Sequence, residues 1–248
     1  MIEVKNVSKG FNGKQILTDV SHRFEKGKIN LIIGGSGSGK TVLVKCMVGL
    51  FEVDSGSIEY DGRNFSNMDF NERKPIRQEI GMLFQGSALF DSMTVEQNVM
   101  FPLTMLSNLS LAERIDRANV CLERVKLPSS HKLFPSEISG GMKKRVAIAR
   151  AIAMNPKYLY CDEPNSGLDP KTSIVIDELI MEITEEYQMV TVINTHDMNS
   201  VLTMGENILF IHEGKKWWSG NSNQIFYSGN QELDDFIFAS KIMQNLRK

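Results

Sequence analysis

The chain has 248 residues, enough for one globular unit with an added piece, since domains usually run to about 150 residues. Hydrophobic residues at 42% and charged residues at 23% match ordinary globular composition and exclude disordered, collagen-like and disulfide-scaffold classes. Lys and Arg number 28 against 30 Asp and Glu, a net charge of -2, so the chain offers no overall basic field and no nucleic-acid partner is expected. Cys46, Cys121 and Cys161 lack C-x-x-C spacing, which predicts free thiols in a reducing compartment. The N-terminus lacks the basic start and apolar run of a signal peptide, and the longest charge-free stretch, 97–112, is too short and polar to span a bilayer.

In chain order, residues 2–8 and 20–24 alternate apolar with other residues around a Gly-Asn-Gly-rich stretch, predicting a small antiparallel layer with one wet face. Residues 28–34, 79–84, 158–161, 189–194 and 207–211 are nearly continuous apolar runs, as in strands covered on both faces. Alternating with helical patterns, they predict an α/β fold with a mainly parallel central sheet. Between 85 and 136 no strand pattern occurs, while Leu111, Ile115, Ala118, Leu122 and Val125 share one helical face, predicting a helical insertion. From residue 221 the chain turns polar, then places Leu233, Phe236, Ile237 and Met243 in a final helix-like segment. The expected cover for that apolar face is a neighbouring subunit.

Gly34, Gly35, Ser36, Gly37, Ser38, Gly39, Lys40 and Thr41 fit the G-x-x-x-x-G-K-[ST] phosphate loop, set between an apolar strand and a helical run that begins at Val42. The glycines let N–H groups turn toward phosphate oxygens, the helix N-terminus adds its dipole, Lys40 adds a point charge and Thr41 a hydroxyl for Mg²⁺. Residues 158–164 form an apolar strand ending in Asp162 and Glu163. Asp162 is placed to hold Mg²⁺ through water, and Glu163 to act as general base on a water in line with the γ-phosphate. Ser139, Gly140 and Gly141 open a helix that carries Lys143, Lys144 and Arg145, read as a second anion-binding N-terminus with a basic exposed side.

The order of phosphate loop, Ser-Gly-Gly turn, acidic pair, Ser166-Gly167-Leu168-Asp169 and Thr195-His196-Asp197 resembles the nucleotide-binding subunit of ATP-binding cassette (ABC) transporters, from Ile2 to about Gly220. The resemblance implies a P-loop NTPase (RecA-like) core, 1–84 and 155–220, with an N-terminal antiparallel β layer, an inserted helical subdomain at about 86–154, and a C-terminal extension, 221–248, that contacts the dimer partner. It implies ATP and Mg²⁺ as ligands. Phe11 matches the aromatic that stacks on adenine, and Gln85 the glutamine that touches Mg²⁺ and couples to the membrane subunit. His196 matches the histidine at the γ-phosphate. Ser139 and the N–H of Gly141 would reach ATP held by a second subunit, with Asp169 joining two sites in a homodimer that holds two ATP molecules at its interface. Ile138 and Met142 stand where Leu and Gln are usual, a departure beside the Ser-Gly-Gly core.

A finer resemblance lies in residues 86–103 and the tail, which are similar to ATPases of Mla-type bacterial phospholipid transport systems. It implies phospholipid movement between inner and outer membranes, a multi-span permease docking near Gln85 to Phe101, and an MCE-domain protein as partner. The chain would then sit peripherally on the cytoplasmic side of the inner membrane. The alternative is the ATPase of an importer for a polar solute such as an amino acid or metal. Soluble two-cassette ATPases of translation or repair do not fit this length, and a P-loop kinase or GTPase leaves the Ser-Gly-Gly helix without a role. His22, His131 and His212 lack metal spacing and read as ordinary surface or strand residues. Most methionines read as core, with Met82, Met93, Met100 and Met105 set around the expected coupling groove.

Overall fold

The computed structural model describes residues 1–239. In chain order these form β1 (Ile2–Phe11), β2 (Lys14–Phe24), β3 (Ile29–Ile33), α1 (Lys40–Met47), β4 (Ser55–Tyr60), β5 (Arg63–Asn64), α2 (Lys74–Gln78), β6 (Ile80–Leu83), α3 (Val95–Leu106), α4 (Leu111–Arg124), α5 (Gly140–Ile152), β7 (Tyr158–Asp162), α6 (Pro170–Tyr187), β8 (Val190–Asn194), α7 (Met198–Met204), β9 (Asn207–His212), β10 (Lys215–Gly220) and α8 (Gln231–Ile237). They divide into two compact units, residues 1–76 with those from 190 onward, and residues 77–189.

The first unit holds two layers. An antiparallel sheet runs in the order β2-β1-β4-β5, and a mixed sheet places β3 parallel to both β8 and β9, with β10 antiparallel on β9. The β1–β2 hairpin turns at Asn12 and Gly13, both at positive φ, the backbone that a two-residue hairpin with right-handed strand twist needs. β1 and β2 run longer than the alternating residues predict, and β4 and β5 were not predicted at all. Their sequence, with Ser55, Gly56 and Ser57, has little strand propensity, and pairing with β1 holds it extended.

Every residue of β3 is buried, including Asn30, as expected of a strand covered on both faces. The Asn30 amide pays its desolvation by donating to the carbonyls of Glu25 at 2.9 Å, Lys28 at 3.0 Å and Thr191 at 3.0 Å, while its Oδ1 accepts from the Glu25 N–H at 2.7 Å. One side chain thus secures the entry to β3. Leu233 and Ile237 of α8 are also buried within the chain, and the Phe236 ring packs tilted on Phe210 at 5.6 Å. Leu233 and Ile237 therefore need no neighbouring subunit to leave water, which corrects the reason given for the tail at those two residues, while Phe236 is half-buried. Met243 lies outside the described residues.

The second unit contains β6 and β7 as a parallel pair, with α3, α4, α5 and α6. The helical insertion is real, for no strand intervenes between β6 and β7. The compact unit is nevertheless wider than residues 86–154, because β6 and β7 pair with each other and β6 packs on α5. α3 and α4 each begin with a full capping box, Thr94 with Gln97 and Ser110 with Glu113, which satisfies N–H groups the helix cannot. On α4 the buried residues are Ala118, Cys121 and Leu122, and Val125 follows buried at the C-cap. Leu111, at the start of the same face, is 59% exposed.

Candidate active site

In the first unit, β3 runs directly into the phosphate loop and α1 leaves it. Gly34 has φ 148°, and a Cβ there would lie 2.1 Å from the Ile211 carbonyl oxygen, so both backbone and packing demand glycine. Gly35 is different. It has no left-handed φ and a Cβ would meet nothing within 4 Å, so nothing in the chain itself requires glycine there. The Lys40 ammonium, 7% exposed, donates to the Gly34 carbonyl at 2.8 Å and the Gly35 carbonyl at 2.9 Å, folding back on its own loop. The Ser38 hydroxyl is buried and has no hydrogen-bond partner among the described residues. An open cradle over Gly35 and an orphaned buried hydroxyl both suit a phosphate group. The Thr41 hydroxyl accepts from the Asn194 amide at 3.2 Å, a positioning contact that sequence reading missed because Asn194 ends a strand far along the chain. Ser36, Gly37, Gly39 and Val42 lie in the same loop and helix start.

Also in this unit, His196 is exposed just past β8, between the buried Thr195 and Asp197, whose carboxylate caps α7 by accepting from the Asn199 N–H at 2.9 Å. Phe11 closes β1 with its ring 39% exposed, edge-on to Phe51 at 5.0 Å, and the Lys9 ammonium lies 5.2 Å from its centroid. A part-exposed aromatic ring suits base stacking.

In the second unit, β7 is buried through Cys161 and delivers Asp162 and then Glu163, a non-glycine residue at φ 46°. The strained backbone holds the Glu163 carboxylate at the strand end. The Gln85 amide donates to Glu163 Oε2 at 2.8 Å and to the Ser166 hydroxyl at 3.3 Å. Gln85, expected at Mg²⁺, is thus hydrogen-bonded to the expected general base. Beneath them, the Lys144 ammonium donates to the Gln85 carbonyl and to the Glu163 carbonyl, the latter at 3.5 Å.

Lys144 is 4% exposed, which corrects the reading of α5 as a helix with a basic exposed side. Burial lowers its pKa, partly offset by the nearby Cys161, Glu163 and Asp162. Two further cations of α5 also turn to main-chain carbonyls: Arg145 to those of Val125 and Lys126, and Arg150 to Ser87 at 2.7 Å and Ala88 at 2.8 Å. A run of charges on a helix looks solvated in sequence, and only the placement of carbonyls against it reveals otherwise.

Ser139 caps α5 by accepting from the Met142 N–H at 3.3 Å, and both Ser139 and Gly140 are exposed. A Cβ on Gly141 would lie 2.7 Å from Thr172 Cγ2, so this glycine serves close packing on α6 within its own chain. Asp169 caps α6, accepting from the Thr172 N–H at 3.0 Å and from the Thr172 hydroxyl at 2.5 Å, contacts that lower its carboxyl pKa. The three cysteines are buried. Desolvation raises Cys46 and Cys121 to about 11 and raises Cys161 as well, which keeps all three protonated and fits their reading as small apolar fillers. Among the described residues no group of three or more His, Cys, Asp or Glu side chains is arranged to hold a metal ion, and no helix is long and apolar enough to cross a membrane.

The second unit also carries an apolar groove of about 400 Å³ next to Gln85, lined among others by Met82, Phe84, Phe90, Phe101, Pro102 and Leu106. Of the four methionines expected around such a groove, Met82 lines it, and Met105 is 64% exposed.

Comparison with known proteins identifies the framework. The family described as ABC transporter matches residues 17–166. The chain is 36% identical over 259 residues to the methionine import ATP-binding protein MetN of Campylobacter jejuni, covering 98% of this chain and 77% of that protein. It is 38% identical over 207 residues to the probable ribonucleotide transport ATP-binding protein mkl of Mycobacterium leprae, covering 84% of this chain and 60% of that one. The ATP-binding cassette MJ0796, in a dimeric post-hydrolysis state bound to ADP and Pi, superposes with a TM-score of 0.81 at 32% identity, covering 90% of this chain and 99% of the other. These names speak of solute import or transport rather than of phospholipids. With the ABC ATPase fold and its ordered motifs present, the chain belongs to the ABC transporter family as an ATP-hydrolysing, ATP-binding subunit.

Proposed function

We propose that this chain energises a membrane importer for a small polar solute, an amino acid being the leading class. The observation that supports the cargo is the match, over nearly the whole chain, to a protein named for methionine import. In the proposed cycle the N–H groups of residues 34–41 and the Lys40 ammonium hold the ATP phosphates, and Lys40 exchanges the Gly34 and Gly35 carbonyls for phosphate oxygens. Phe11 stacks on the base. Thr41, Asp162 and Gln85 are the residues that would hold Mg²⁺, which when bound neutralises phosphate charge. Glu163 takes the proton of the attacking water once the Gln85 amide releases its carboxylate, and His196 faces the charge that develops on the γ-phosphate. Ser139, Gly140, Gly141 and Asp169 act across a homodimer, with two ATP molecules in the interface. A site completed by a second subunit makes closure depend on ATP and passes that motion onward.

The apolar groove beside Gln85 is the proposed seat of a permease helix, held by Phe84, Phe90 and Phe101. Docking there would keep the chain peripheral, on the cytoplasmic face of the membrane.

A second reading, phospholipid transport with an MCE-domain partner, rests on the sequence reading of residues 86–103 as Mla-like, a segment that contributes Phe90, Phe101 and Pro102 to that groove. Purifying the tagged chain from native membranes in mild detergent separates the two. A permease with a solute-binding protein and no lipid above background supports import. An MCE-domain protein with bound phospholipid overturns it in favour of the second reading.

A further inference from the structure

From the packing of α5 we infer that Lys144 is a positioning residue for hydrolysis, tying the Gln85 segment to Glu163 so that the two move together. Its ammonium is 4% exposed and, among the described residues, has no carboxylate within salt-bridge distance. Its hydrogen bonds go to two main-chain carbonyls, a close one to Gln85 and a long one, at 3.5 Å, to Glu163. A buried cation spent on carbonyls is costly unless both acceptors stay in place. Above it the Gln85 amide closes the loop by donating to the Glu163 carboxylate at 2.8 Å. Gln85 and Glu163 are thus joined twice, once through their side chains and once through Lys144, although 78 positions separate them in the chain.

The side-chain link must break for Glu163 to act on water, whereas the Lys144 link need not. Lys144 therefore keeps the Glu163 backbone, already at φ 46°, registered to the Gln85 segment while the carboxylate is released. Any partner that shifts the 85–88 segment would shift the base with it. This rests on the assignment of Glu163 as general base.

The test is steady-state ATP turnover and nucleotide affinity of the full chain in four variants, each with its melting curve. Lys144→Met removes both donors at similar volume and is expected to lower kcat about tenfold with nucleotide affinity within about twofold. Lys144→Arg keeps the donors and is expected to stay within about threefold of wild type. Lys144→Gln, shorter and neutral, falls between, and decides the matter if Lys144→Met does not fold: a kcat at least about threefold lower at unchanged affinity supports the role. A folded Met or Gln variant with wild-type kcat overturns it, as does a folded Arg variant that is no better than Met. Glu163→Gln is the control for the underlying assignment. If it hydrolyses ATP at the wild-type rate, the base assignment has failed, independently of Lys144.

Discussion

The phosphate loop of the first unit and the acidic strand end of the second both carry chemistry for a nucleotide, yet they are held in different ways. The loop is shaped mostly by near neighbours, a helix that starts at Lys40 and an ammonium that bonds carbonyls five and six positions back, with Ile211 and Asn194 supplying contacts from farther along the chain. The strand end is shaped by residues far apart in sequence. Gln85, Lys144, Glu163 and Ser166 meet only because β6, α5 and β7 pack together. A binding surface made mostly from near neighbours depends on few distant contacts. A carboxylate held by side chains from other segments can be released by moving one of them, which would suit the role proposed for Glu163.

Breaking the second region chemically, with its shape kept, gives the largest effect. Glu163→Gln preserves an acceptor for the Gln85 amide and removes the base, so hydrolysis should fall by about 10²–10³ while ATP binding remains. Single-turnover assays with a binding isotherm measure this, and undiminished hydrolysis would end the base assignment. The first region should fail differently. Gly34→Ala forces a Cβ against the Ile211 carbonyl at φ 148° and should cost about 3 kcal/mol or more of stability, read from denaturant unfolding.

Its neighbour sharpens the contrast. Gly35→Ala meets nothing in the chain, so stability should change by about 0.5 kcal/mol or less while nucleotide affinity drops about tenfold. Wild-type affinity in that variant would mean that no phosphate approaches the backbone there. Smallest is Ser110→Ala at the start of α4, which opens the capping box with Glu113 and should cost about 1 kcal/mol in unfolding with turnover per folded molecule unchanged. A loss of kcat there would show that α4 is coupled to the catalytic residues.

Much of the site was legible because its parts are short and local. The loop from Gly34 to Thr41, the strand ending in Asp162 and Glu163, and the Ser139 cap each need only a few consecutive residues, and the structure places each at the end of the expected element. Gln85 was found by resemblance, but its grip on Glu163 was not, since nothing in a sequence says which donor will meet a carboxylate 78 positions away. Lys144 was read as solvated because Lys143-Lys144-Arg145 has the composition of a wet helix face. β4 and β5 escaped because strand propensity in their residues is weak and pairing partners supply the order. The tail erred in the opposite sense: an apolar face seemed to require a second subunit, and Leu233 and Ile237 are covered by their own chain.

By itself the sequence determined the α/β class, the phosphate loop, the carboxylate pair and membership in a family of ATPases, because strand periodicity, glycine geometry and the order of charged groups are written in near neighbours. Tertiary structure decided which charges are buried, what the Glu163 carboxylate is bonded to, and where an apolar groove opens beside Gln85. Those outcomes depend on which distant carbonyls and side chains exclude water around a group, and the cost of leaving a buried donor unpaired is settled only when the segments meet.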